Sequence, residues 1–528
     1  MVEIPNSYDA LPYESLPRAE THPYRIASIA ALLGLSAPPP TTAKILELGC
    51  ASGGNLLSIA DTLPHSECYG IDLSPTQIEL GKRLQERAGL KNVTLSTQNI
   101  AHIKQSQEFA GKKFDYIICH GVFSWVNAEL QESLLAACGN LLSENGIAYI
   151  SYNVLPGWAS VGILRDAMRF AAKKTDAPKT QMADGLRFLS TLAQQGESSE
   201  DPYFSTIRGA LTSFEKEAPY YIFHEYLEDH NRACYASEFL ERASAHDLAY
   251  LGDAKFAMMC PADISPRLRE DLPSAETDRA RYEQALDFFR NRRFRESLMC
   301  RKGRTPRFPV SIETLRPFHF ASALTPQHGN ENLSGEGEEV FTAPNGGEVR
   351  VSNSLQKTAL VLLRRNWPER IAFSALIEAA AKESGSSLTP SLMDSAQKGL
   401  LELLCRCLEA NLLEAHLEAG CFTTTISPSP RVSALARAQA ELGEHVSSLR
   451  HQDVICEPIV RQVLIRLGGK QKPELVNELA QMVVSGQMVI EQNGARITEK
   501  TQALALMTEV LDRVLDRLAS QAFLLRDD

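Results

Sequence analysis

Residues 45–55 read Ile-Leu-Glu-Leu-Gly-Cys-Ala-Ser-Gly-Gly-Asn, an apolar run that stops at an acid and opens into a glycine-rich turn. Leu56, Leu57, Ile59 and Ala60 follow at helical spacing. A strand, a glycine turn and a helix in this order leave few folds open. Gly49 and Gly53 permit positive φ and bring backbone up to a ligand with no Cβ in the way. The helix start offers N–H groups to an anionic group. The next apolar run ends at Gly70-Ile-Asp72, about 20 residues on, the spacing at which a carboxylate meets a ribose diol in dinucleotide-type folds. Together these features point to a nucleoside cofactor.

The pattern repeats. Short apolar runs at 44–48, 68–72, 93–97, 114–119 and 146–152 predict strands, with helical stretches after the first, second and fourth. That alternation predicts a parallel sheet covered on both faces. Residues 160–215 read as helical, with further helices near 236–245 and 280–290. Further runs stand at 248–251 and 296–300. The polar stretch 326–337 reads as a linker, and Asn345-Gly346-Gly347 as a hairpin turn. After 355 the chain reads as mainly helical, with a β-type run at 421–426 and a long amphipathic helix over 503–523. Val510, Leu511, Val514, Leu515 and Leu518 make the apolar stripe of that helix. Helices with a strand pair make a winged-helix pattern.

With 528 residues the chain exceeds what one core usually supports. The expected division is a lead-in and lid at 1–43, a cofactor-binding core at 44–160, a helical cap at 161–325, and two C-terminal units at 338–430 and 431–528. The formal net charge of -11 disfavours non-specific nucleic-acid binding, because a polyanion is repelled at long range. No apolar run is long enough to span a bilayer, and no signal peptide is evident at the start, so no stable membrane insertion is expected. The 11 cysteines include no Cys-x-x-Cys pair. They read as reduced, buried thiols of a cytoplasmic protein, with no metal site.

Glu47 discriminates between nucleoside cofactors. A carboxylate just before the turn would repel a pyrophosphate, whereas it suits the ammonium and sulfonium of S-adenosylmethionine. Asp72 would accept the ribose hydroxyls, since Ser74 already caps the next helix ahead of Pro75. Gln98 and Asn99 follow the third run, where adenine would lie. His120 ends the fourth run at the carboxyl edge, facing the methionine end.

Four segments now combine: residues 47–55, Gly70-Ile-Asp-Leu-Ser-Pro-Thr-Gln-Ile78, Cys119-His-Gly-Val-Phe-Ser-Trp-Val126 and Ser151-Tyr-Asn-Val-Leu-Pro-Gly-Trp158. The chain resembles a class I S-adenosylmethionine-dependent methyltransferase. More narrowly, it resembles the bacterial group with a methyltransferase regulatory domain, which includes rickettsial protein-lysine methyltransferases. The lead-in Tyr8-Asp9…Tyr13…Thr21-His22-Pro23, the segment Phe223-His-Glu-Tyr-Leu-Glu228, Ser433-Ala-Leu-Ala-Arg-Ala-Gln439 and Leu449-Arg-His451 extend the likeness over most of the chain.

The resemblance implies a Rossmann-like α/β core with helical insertions and mainly α, winged-helix-like C-terminal units. A class I sheet ends in an antiparallel pair, for which 248–251 and 296–300 are the candidates, and this makes 160–245 and 255–295 insertions capping the site. It implies S-adenosylmethionine as cofactor, held by Glu47, Gly49, Gly53, Asn55, Asp72, Leu73, Gln98, Asn99 and His120. Tyr13, His22, Tyr152 and Asn153 are the catalytic candidates. Trp125 and Trp158 are candidates to wall an acceptor channel, and His224 and Glu225 either enter the cleft or fix a helix end. The expected reaction is methyl transfer to a protein lysine, with a protein or peptide as partner and a homo-oligomer left open. The alternatives are a methyltransferase for a small molecule or cell-envelope intermediate, and a non-catalytic cofactor-binding winged-helix regulator. Two positions depart from the family pattern: Ala51 replaces a glycine, at about 1–2 kcal/mol if φ is positive there, and Asn99 replaces an aspartate.

Overall fold

A computed structural model describes residues 14–173, 177–329, 337–385, 390–492 and 495–527. Its centre is a seven-stranded sheet of β1 (Lys44–Leu48), β2 (Glu67–Asp72), β3 (Val93–Thr97), β4 (Phe114–Cys119), β5 (Leu142–Asn153), β6 (Leu248–Asp253) and β7 (Phe294–Arg301). The order is β3-β2-β1-β4-β5-β7-β6. The first five strands are parallel, and β7 runs antiparallel to both β5 and β6. The late apolar runs therefore do close the sheet. The chain reverses its direction of travel across the sheet between β1 and β4, and ligands of open α/β sheets bind outside the carboxyl ends at such a point.

Helices α1 (Pro23–Leu32), α2 (Gly54–Thr62), α3 (Pro75–Ala88) and α4 (Ala128–Leu141) surround the parallel part. Ser74 caps α3 by accepting the Gln77 N–H at 3.1 Å, with Pro75 at the first helical position. Four further helices, α5 (Ala159–Ala171), α6 (Pro178–Gln195), α7 (Pro202–Phe214) and α8 (Pro219–Leu227), bury a core of their own around Leu164, Met168, Leu189, Ile207 and Phe223. Two more, α9 (Ala236–Ser244) and α10 (Arg279–Arg290), flank β6 and β7. No helix among the described residues is long and apolar enough to cross a membrane.

Beyond the sheet, β8 (His319–Ala321) is the middle strand of a small sheet with partners at Ile371–Ala372 and Glu414–His416. This unit thus recruits a strand from before residue 338. The strands Glu339–Thr342 and Glu348–Val351 form the hairpin expected at Asn345-Gly346. The run at 421–426 is not a ladder strand; Phe422 makes only an isolated bridge to Leu525. Its polar groups bond instead to a glutamate more than fifty positions earlier. Thr423 Oγ1, Thr424 N and Thr424 Oγ1 all donate to Glu369 Oε1.

The last unit packs helices Ala434–Leu442, Pro458–Arg466, Lys472–Ser485 and Lys500–Ser520 around Leu511, Leu515 and Leu518. Its first helix lies against α3, with Arg87 paired to Glu441 at 2.8 Å.

Candidate active site

The glycine turn is stitched to the end of β2. Gly49 and Cys50 donate to the Ile71 carbonyl at 2.8 and 3.0 Å. Asp72 holds the turn from the other side: Oδ2 accepts the Ala51 N–H at 2.8 Å and Oδ1 the Ser74 N–H at 2.9 Å. Gly49, Ala51 and Gly53 have φ of 74°, 48° and 73°, so the alanine at 51 does occupy the left-handed region. A Cβ on Gly49 would come within 2.5 Å of Val122 Cγ2.

The lead-in straps this turn. Gly54 N–H donates to Ser15 Oγ at 2.8 Å, and a Cβ on Gly54 would meet the Ser15 carbonyl oxygen at 1.8 Å. The amide expected to greet an anionic ligand is therefore taken by a serine hydroxyl.

Glu47 is buried at the end of β1. Its Oε1 accepts from Asn55 Nδ2 at 2.8 Å, and its Oε2 has no hydrogen-bond partner among the described residues. Burial pushes this carboxyl up to about 8, the Asp72 charge adds to the rise, and the Asn55 bond opposes it. Nearby Arg18 makes no ion pair among the described residues. Among the described residues, a buried acceptor lacking a donor and a guanidinium lacking an acid border one cavity of about 320 Å³. That pair complements the ammonium and carboxylate of an amino acid.

His120 forms the far wall. Its Nδ1 lies 2.9 Å from the Tyr149 hydroxyl, which donates to Glu296 Oε1 at 3.0 Å, and Lys255 Nζ pairs with Glu296 Oε2 at 2.8 Å. Tyr149 has one proton and gives it to Glu296, which assigns the His120 proton to Nδ1 and the lone pair to Nε2. Burial, then the charges of Arg18 and Lys255, lower His120 to about 3, so the ring is neutral at physiological pH.

The remaining wall brings Trp125, His224 and Glu225 to the same cavity. His224 Nδ1 lies 2.8 Å from Glu228 Oε1. Burial, mainly, raises Glu225 to about 7.

Comparison with known proteins decides what this arrangement belongs to. Residues 41–223 match the family described as Methyltransferase domain. Residues 218–301 match the Predicted methyltransferase regulatory domain, and 429–523 match the PKMT, C-terminal winged helix domain. An uncharacterized protein of Rickettsia prowazekii is 28% identical over 527 residues, covering 98% of this chain and 94% of its own. A second from that organism is 40% identical over 237 residues, covering 45% of this chain and 93% of its own. The structure of PKMT2 from Rickettsia typhi in complex with AdoHcy matches with TM-score 0.86 at 26% identity, covering 98% of this chain and 100% of that one.

The chain belongs to the class I S-adenosylmethionine-dependent methyltransferases with a regulatory domain.

In this methyltransferase Glu47, Gly49, Asn55, Asp72, Leu73, Gln98, Asn99 and His120 all line the one cavity. Gly53 caps α2 from just behind the turn. The amides at 98 and 99 are committed elsewhere: Gln98 Nε2 donates to Glu108 Oε2, and Asn99 Oδ1 accepts the Ala101 N–H at 2.9 Å. That cap needs an acceptor, which asparagine supplies as well as the family's aspartate.

Three catalytic candidates fall outside the cavity. Tyr152 is fully buried, stacked on Phe239 at 4.0 Å with its hydroxyl 3.1 Å from Ser297 Oγ. Strand alternation sends it to the face opposite Tyr149. Asn153 is buried, its N–H donated to Ser124 Oγ at 2.8 Å. His22 caps α1 and bonds Thr62 Oγ1 at 2.9 Å, in the wall of a different cavity. Tyr13 lies outside the described residues.

Sequence reading missed Ser15 and Arg18, which sit in a lead-in with no periodicity. Trp125 and Trp158 contact edge to face at 6.4 Å, and only Trp125 lines the cavity.

Proposed function

We propose that this methyltransferase modifies a lysine side chain of a protein, and that the cavity holds the cofactor as follows. Glu47 Oε2 takes the ammonium and Arg18 the carboxylate. Asp72, whose oxygens already organise the turn, takes the ribose diol. Leu73 and Ile100 wall the adenine beside Gln98 and Asn99. His120 borders the methionine end. When bound, S-adenosylmethionine supplies a methyl group already activated by its sulfonium, so the chain's task is alignment, desolvation and handling one proton.

That proton singles out Glu225. A lysine acceptor must lose a proton before it attacks, since its ordinary pKa is about 10.4. His120, lowered to about 3, is too weak a base. Glu225, raised to about 7 at the cavity wall beside Trp125, is matched to operation near neutral pH. It attracts an ammonium when ionised and can take up its proton. This carboxylate is the observation that carries the reading, and the whole-length likeness to a PKMT supports a protein acceptor. We place the protein in the cytoplasm, with the helical segment over α5–α8 as a cap.

The test uses methyl-labelled cofactor with the purified enzyme and cell fractions, followed by fragment mass mapping. Label on lysine side chains is expected. Label confined to small metabolites would overturn the protein-acceptor reading and favour the small-molecule alternative.

A further inference from the structure

The motif Leu449-Arg-His451 plays no part in the site as described so far, yet His451 reaches it. The residue lies between the paired strands His445–Ser447 and Asp453–Ile455 of the last unit. Its backbone is left-handed, with φ 58°, and its N–H donates to the Ser448 carbonyl at 2.9 Å. The ring is buried behind the glycine turn. Its Nε2 lies 2.8 Å from Asn55 Oδ1, and its Nδ1 lies 2.9 Å from Ser58 Oγ.

The amide oxygen of Asn55 can only accept. His451 therefore carries its proton on Nε2, and its Nδ1 accepts from Ser58. The same oxygen also receives the Arg18 N–H at 2.9 Å, while the Thr21 hydroxyl, 3.0 Å from it, has its one proton shared with the Arg18 carbonyl at 2.8 Å. Two N–H donors, from His451 and Arg18, converging on one oxygen fix the orientation of Asn55. Its NH₂ must then face Glu47, and it donates to Oε1 at 2.8 Å. That bond engages one carboxylate oxygen and leaves Oε2 as the acceptor without a partner among the described residues. Reversed, the Asn55 amide would set oxygen against carboxylate.

We infer that His451 is a positioning residue for methyl-donor binding: the C-terminal winged-helix unit fixes Asn55, and through it Glu47, at the amino-acid end of the pocket. Burial and the neighbouring His22, whose ring lies 5.1 Å away, hold the imidazole uncharged, as one donor and one acceptor require. Docking of the last unit is thus a condition for tight cofactor binding, although that unit contributes no side chain to the cavity itself.

The inference rests on Glu47 as the partner of the cofactor ammonium, and the two can fail separately. Calorimetry on the full chain compares AdoHcy with methylthioadenosine, which keeps the adenosine and thioether but lacks the amino-acid end. His451→Ala should weaken AdoHcy about tenfold, the scale of one buried hydrogen bond, and leave methylthioadenosine within about twofold. His451→Gln, whose amide can donate to the same oxygen, should recover most of the loss. In turnover assays the donor KM should rise more than kcat falls. Equal losses for both ligands would mean a general structural role and overturn the inference, as would unchanged AdoHcy affinity. If Glu47→Gln weakens AdoHcy and His451→Ala does not, the His451 role alone fails. If Glu47→Gln binds AdoHcy normally, the reading of Glu47 fails first.

Discussion

Glu47 at the end of β1 and Arg295 in β7 both place an ionisable side chain inside the same sheet, and their surroundings differ in one respect. Arg295 is closed in on every side. Its Nε meets Asp287 Oδ1 and Oδ2 at 3.1 and 2.8 Å, and its Nη2 meets the Glu283 carbonyl and Oε2 at 2.8 and 3.1 Å. Glu47 has one oxygen bonded and the other without a partner among the described residues. A buried charge whose bonds are all made by the chain holds the fold together. One left with an open valence costs stability until something else supplies the missing donor.

The largest effect should come from the closed cluster. Arg295→Met leaves Asp287 buried without its ion-pair partner and strips Glu283 Oε2 of its donor, with Arg279 still on Oε1 at 2.7 Å, and should destabilise the protein by about 3–5 kcal/mol in urea unfolding. A loss under about 1 kcal/mol would erase the contrast. Glu47→Gln should act in the opposite sense. AdoHcy affinity should fall by about 100-fold, the scale of a charge-assisted bond in a buried site, while the ligand-free protein keeps its stability or gains some.

The pH dependence sharpens the same contrast. Glu47 has an ordinary value of 4.5 and is raised to about 8 in the fold. Between those values the folded chain holds a proton that the unfolded chain does not. This contribution to stability is therefore present below 4.5 and is lost as pH rises through about 8. An ammonium ligand demands the ionised form, so cofactor binding at pH 7 must expel that proton. Calorimetry in buffers of different ionisation enthalpy should find about one proton released by the wild type and close to none by Glu47→Gln. Proton uptake on binding would contradict the assignment.

Glu225 should give a smaller, purely kinetic effect. As a base it must be ionised, so the wild-type rate should climb as pH rises through about 7. Glu225→Gln should lower kcat by about 10- to 100-fold and abolish that limb, with AdoHcy affinity unchanged. A retained limb would move the base to another group.

The parallel sheet and most of the cavity wall were legible because their signals are local. Residues 45–55 carry strand, turn and helix within eleven positions, and Asp72 follows at a spacing set by one βα unit. What the sequence did not place has one cause, which is that a side chain's direction and its distant neighbours are not written in its own segment. Tyr152 and Tyr149 stand in the same apolar run, and only the pleat decides that Tyr149 reaches His120 while Tyr152 enters the core. His22 precedes a proline that starts α1, so the backbone uses its ring as a cap. Arg18 sits in a segment with no periodicity, and His451 lies 396 positions from the amide it fixes.

Ala51 offers the finest test. The turn places it at φ 48°, and the surrounding bonds show why it cannot relax: its N–H is held by Asp72 while Gly49 and Cys50 on one side are tied to Ile71. An L-residue in that region costs about 1–2 kcal/mol relative to glycine, and a glycine there loses about 0.4–1 kcal/mol through the freer unfolded chain. Ala51→Gly should therefore stabilise the ligand-free protein by about 0–1.6 kcal/mol in urea unfolding. Cofactor affinity should stay within about twofold, because the alanine already holds the conformation that the glycine would adopt. A stability gain with unchanged affinity would mean that the strain is carried by the fold rather than used by the site, which places Ala51 with Arg295 and not with Glu47. A change in affinity would show instead that the turn shifts when the cofactor enters, and that the alanine biases where it rests.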